Sequence, residues 1–198
     1  MKYLTICMFL FLGSCTHKNQ YKTLTKDASK DIEGFCLNNE GVGRLTVDKV
    51  GYSFSYQSIY DKEFAKWTLV FDFPLHPEEY LELDWSEGGK FKFKTSLERK
   101  VLTEAKVDPF LVESAFKGLR LFMQEVIRLQ EQKKSPKLLW SYPDDYTLAF
   151  KLNSKQSGSL LQLNKKNFFE KLSFNVELRE SKFQLDLYIQ SCSASTIM

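Results

Sequence analysis

The chain has 198 residues, and 28 lysines and arginines against 25 aspartates and glutamates leave it at +3. The basic residues are interspersed with acidic ones rather than gathered in one stretch, which argues against a nucleic-acid partner. It contains no CxxC, HExxH, P-loop, GxGxxG or GxSxG pattern, so no metal, cofactor or nucleophilic chemistry has its usual signature.

Met1-Lys2, the apolar run from Tyr3 to Phe11 and then Leu12-Gly13-Ser14-Cys15 open the chain. A basic start, about ten apolar residues and a small-residue exit make an export signal; spanning a bilayer takes about twenty. Leu12 to Cys15 resemble the bacterial lipoprotein signal. That resemblance implies that residues 1–14 are removed, that the Cys15 thiol is acylated, and that acyl chains such as palmitate anchor the mature chain to a membrane. An ordinary export signal with an unrelated cysteine is the alternative.

Residues 15–30 are polar and lack periodicity. They are expected to form a flexible tether of about fifteen residues reaching on the order of 20 Å. Residues 31–198 are expected to form one domain, long enough to bury a core. Cys7 leaves with the leader and Cys15 is acylated, so Cys36 and Cys192 remain in an oxidising compartment. A disulfide between them is predicted, with two buried thiols as the alternative.

From Gly43 to Ser96 the pattern has period two. Phe54 and Tyr56 alternate with Ser53 and Ser55; Trp67, Leu69, Phe71 and Phe73 share a face; Leu81, Leu83 and Trp85 alternate with Glu82 and Asp84; Phe91 and Phe93 lie among lysines. This predicts strands with one apolar and one wet face. Turn signals at 49–51, 60–62, 74–77 and 88–89 arrange them as a meander.

After Asp108 the period changes. Val112, Ala115, Phe116, Leu119, Phe122, Met123, Val126 and Ile127 fall at helical spacing. Phe110, Leu111, Leu121 and Leu129 broaden the stripe. The spacing predicts a helix of about 24 residues, capped by Asp108, starting at Pro109 and ended by the charged run 130–134 and Pro136. Strands resume at 138–140, 146–152, 159–163, 172–178 and 183–189, the last two as a hairpin around 179–182. The fold class is α+β, an antiparallel sheet crossed by a long amphipathic helix. It either cups a cavity or is solid.

Catalytic residues are scarce. His17 lies in the tether and His76 in a turn. Glu78, Glu79 and Glu82, or Asp144 and Asp145, could supply a carboxylate pair, but each group adjoins a turn, where solvated charges are ordinary. Neither an enzyme nor a cofactor is expected.

Gly43-Arg44-Leu45, Ser53-Phe54-Ser55-Tyr56, Trp67-Thr68-Leu69-Val70-Phe71, Pro74-Leu75 and Glu79-Tyr80-Leu81-Glu82-Leu83 resemble the LolB family, outer-membrane receptors of the bacterial lipoprotein-sorting system. The resemblance implies a strongly curved, incomplete antiparallel barrel with helical cover over its mouth. Such a monomeric cup faces the periplasm, accepts lipoprotein acyl chains from a periplasmic carrier and releases them to outer-membrane lipid, with no bond made or broken. Acyl chains cost about 0.8 kcal/mol per CH₂ in water, so the cup must be dry. Phe54, Tyr56, Trp67, Leu69 and Phe71 on the apolar sheet face, with Phe116, Leu119 and Met123 on the covering helix, are its candidate lining. It also places on Leu75 the family's exposed loop leucine, which inserts into the target membrane, although His76-Pro77 follow where the family usually has glycine. Thr16 rather than aspartate follows Cys15, which in enterobacteria-like cells permits outer-membrane sorting. The rival is an envelope lipoprotein with a solid core that serves as an interaction or assembly module.

Overall fold

The computed structural model describes residues 24–72, 80–86, 92–95, 109–132, 137–162 and 168–193. Two meanders lie side by side in one antiparallel sheet. The first comprises β1 (Asn39–Val47), β2 (Val50–Asp61), β3 (Lys66–Asp72), β4 (Tyr80–Ser86) and β5 (Lys92–Thr95). The second comprises β6 (Leu139–Ser141), β7 (Thr147–Asn153), β8 (Gln156–Leu161), β9 (Lys171–Leu178) and β10 (Ser181–Cys192). The order is β5-β4-β3-β2-β1-β10-β9-β8-β7-β6, so the first and last strands pair at the centre and β5 and β6 form the two edges of a sheet that is not closed. Gly43 opposite Leu187 and Leu45 opposite Leu185 mark the register of that central seam.

Between the edge strands runs α2 (Pro109–Gln132), 24 residues long. Pro109 is its first residue, where a missing N–H costs nothing; Asp108 lies outside the described residues. Leu111, Ala115, Phe116, Leu119, Phe122, Met123, Val126 and Leu129 are buried, whereas Leu121 is half exposed and does not widen the stripe. The helix packs on β7, β9, β10 and the 3-10 turn Ile32–Gly34.

Several boundaries differ from the sequence expectation, for one reason. Strand ends here are polar and are held by backbone pairing, which an apolar period cannot detect. Thus β1 begins at Asn39 rather than Gly43, β8 at Gln156 rather than Ser159, and β10 continues to Cys192. The first turn falls on Asp48-Lys49, with Asp48 at φ 54°, a conformation that aspartate tolerates. The second falls on residues 62–65, and β2 runs through Asp61.

Residues 24–30, assigned to the tether from composition, belong to the folded body. Leu24 and Ala28 are buried, Leu24 N donates to Asp145 O at 2.9 Å, and α1 (Ala28–Asp31) is capped by the Asp27 side chain. Buried Asp31 accepts from Thr25 N at 2.8 Å, Thr25 Oγ1 at 2.9 Å and the Tyr142 hydroxyl at 3.1 Å. Leu24, Ala28 and Ile32 recur every four residues, but over too short a stretch to stand out among polar neighbours.

Cys36 and Cys192 form the predicted disulfide, with Cα atoms 5.9 Å apart across a sequence separation of 156. It ties the entry of β1 to the exit of β10 and so fastens the central seam.

Candidate functional site

The pairing of Tyr56 with Phe71, Ser58 with Leu69 and Tyr60 with Trp67 decides which face of β2 and β3 turns inward. Phe54, Tyr56, Ser58, Tyr60, Trp67, Leu69 and Phe71 are all buried, while Ser53, Ser55, Gln57 and Ile59 face out. A Cβ at Gly43 would collide with the Phe54 ring, so that ring lies directly over the backbone of β1. Its edge meets Phe71 with centroids 4.7 Å apart.

Polar groups on this face are ordered from one end. Trp67 Nε1 donates to Ser58 Oγ at 2.7 Å, and that hydroxyl donates to Leu37 O at 2.8 Å. The Tyr60 hydroxyl donates to Glu131 of α2 at 3.2 Å. The Tyr56 hydroxyl is buried with no hydrogen-bond partner, and burial pushes its pKa far above the ordinary tyrosine value.

From the helix, Phe116 sets its ring against the Phe183 ring at 6.0 Å, close to perpendicular, and Leu119 and Met123 are buried beside it in sequence. All eight candidate lining residues belong to one continuous apolar cluster. Phe122, Phe150, Phe174 and Phe183 are equal members that were not singled out as lining. Phe122 stacks on Phe150 at 4.3 Å, Phe150 on Phe174 at 6.3 Å, and Phe35 meets Phe122 edge-on at 5.7 Å. The alternation at 146–152, 172–178 and 183–189 already marked the strands of Phe150, Phe174 and Phe183, but the family resemblance stops at Leu83 and the lining list leaned toward the first half.

Arg120 Nε and Trp140 Nε1 are also buried without a hydrogen-bond partner. Sequence reading missed Arg120, because a lone arginine between Leu119 and Leu121 looks like the wet side of an amphipathic helix.

The remaining candidates do not converge. Asp144 accepts from Tyr146 N at 2.8 Å and from Thr147 Oγ1 at 2.9 Å, and these bonds hold its carboxyl below the usual range. Asp145 pairs with Lys26 at 2.9 Å on the surface. Glu82 sits in β4 opposite Lys94, and Cys15, Leu75, His76, Glu78 and Glu79 lie outside the described residues. Among the described residues, no group of three or more His, Cys, Asp or Glu is placed to hold a metal ion. No described helix is long and apolar enough to cross a membrane. Compared with known proteins, the chain matches no family model and no curated sequence.

Proposed function

We propose that this protein is a lipid-anchored outer-membrane carrier of acyl chains. Cys15 bears the anchor, the sheet curves into an incomplete barrel facing the periplasm, α2 covers its mouth, and Leu75 meets the target membrane. The supporting observation is the single apolar cluster shared by the inward face of β2 and β3, the helix and the second meander. A cluster of this aromatic and aliphatic make-up suits an acyl chain, which needs desolvation and shape rather than directed bonds. Met123 adds an adaptable side chain to it. Handing over lipoprotein acyl chains from a periplasmic carrier requires no acid, base or metal.

The stacked Phe122, Phe150 and Phe174 rings favour a second function, an envelope assembly module whose core is filled by its own side chains. Titration separates the two. The full chain carrying Cys15→Ser, which prevents acylation, is purified without detergent and titrated with cis-parinaric acid, a fluorescent fatty acid. Saturable one-to-one binding is expected of the carrier, whereas no saturable signal would leave the assembly module.

A further inference from the structure

Along β2 the inward polar groups are satisfied in order until the last. Tyr60 has Glu131, Ser58 has Leu37 and Trp67, and Tyr56 has nothing. Tyr56 is only 4% exposed, so its hydroxyl has given up water without gaining a protein acceptor, the arrangement that native interiors avoid. Packing does not require that oxygen, because phenylalanine fills the neighbouring inward positions 54 and 71. A phenol is protonated across the neutral range and burial raises its pKa further, so it is a standing donor in an apolar wall.

We infer that the Tyr56 hydroxyl is the donor that holds the oxygen end of a bound acyl chain. An ester or amide carbonyl, as on an acylated cysteine, and a free fatty-acid carboxylate share the acceptor that a phenol O–H needs. The hydrocarbon tail then lies along the aromatic face, with its register set by the oxygen. This site rests on the carrier function proposed above.

Three probes keep the two apart, namely cis-parinaric acid, its methyl ester and diphenylhexatriene, which has no oxygen. Each is titrated into the full chain carrying Cys15→Ser, alone and with Tyr56→Phe. Tyr56→Phe keeps the ring and should weaken the acid and the ester by about fivefold, the worth of one net hydrogen bond, while diphenylhexatriene binds unchanged. If Tyr56→Phe binds all three probes like its parent, the hydroxyl site is overturned and the carrier stands. A parent protein that binds none of the probes overturns the carrier itself and the site with it.

Discussion

The meander β6–β10 and the meander β1–β5 bury aromatic faces of the same kind, yet they treat polar groups differently. In the second half, buried Glu125 of α2 accepts from Lys137 N at 2.6 Å and Leu138 N at 3.2 Å and pairs with Arg128, so the helix grips the entry to β6. Gln156 reaches from β8 to Ser114 O at 2.8 Å. On the other face, Asp186 gathers Ser173, Gln184 and Lys171. Trp140 Nε1 and, on the helix itself, Arg120 Nε are exceptions. These bonds pin helix to sheet in that half. In the first half Tyr56 stands in an apolar wall with its donor unused. A common device underlies both: Phe54 lies over Gly43 in one half and Phe150 over Gly158 in the other, each ring where a Cβ would collide. Similar packing therefore serves an interior pinned to the helix in one half and, on our proposal, a wall awaiting an occupant in the other.

The largest test concerns the seam that joins them. Reducing the Cys36–Cys192 bond, or replacing both cysteines by serine, releases a loop with a sequence separation of 156. In the loop-entropy model this costs about 5 kcal/mol. Urea denaturation with and without reductant measures it. A loss well under about 1 kcal/mol would mean that the β1–β10 ladder holds the halves together unaided.

A smaller effect sharpens the contrast itself. Phe122→Ala and Phe71→Ala each remove a ring from the cluster, and each is expected to cost about 3–5 kcal/mol. Their response to ligand should differ. A void behind Phe71 opens onto the proposed acyl surface, so saturating parinaric acid should recover part of the lost stability. A void beneath Phe122 lies in the helix-backed core and should recover none. Equal recovery, or none in either variant, erases the distinction between the halves.

The two periods, two before Asp108 and near 3.6 after it, made the strands and the helix legible, down to Pro109 as the first helical residue. They could not show that β1 seeks β10, because strand pairing across the whole chain leaves no local mark. Nor could they fix the inward face of β2. Ser58 shares a side with Phe54 and Tyr56 while apolar Ile59 lies on the other, and the pairing with Phe71 decides. The N-terminal segment was misread because its buried apolar residues, Leu24, Ala28 and Ile32, sit among lysines and aspartates. Which apolar residues share a face of β2 and β3 was legible from their alternation. The unpartnered atoms were not, since a tyrosine and an arginine disclose their partners only in three dimensions.

The smallest expected effect compares two tyrosines, one on each side of this contrast. Burial raises the pKa of both, and at Tyr142 the hydrogen bond to Asp31 and its charge raise it further. Tyr142→Phe gives up a bond to a carboxylate and should cost about 1 kcal/mol, the partial exposure of the site keeping it at the low end. Tyr56→Phe gives up nothing but an unsatisfied oxygen and should leave stability equal or raise it by up to about 1 kcal/mol. A hydroxyl whose folded pKa lies above its unfolded value of 10.0 contributes its full stability below that pH and loses it as pH rises further, because the unfolded chain gives up the proton first. Removing either hydroxyl should therefore flatten the alkaline loss of stability between about pH 9 and about pH 11. Only the removal at Tyr56 should do so without lowering stability at neutral pH. Urea midpoints across that range read both quantities. If Tyr56→Phe loses stability at neutral pH as Tyr142→Phe does, its hydroxyl has a partner within the protein, and the first half is as complete as the second.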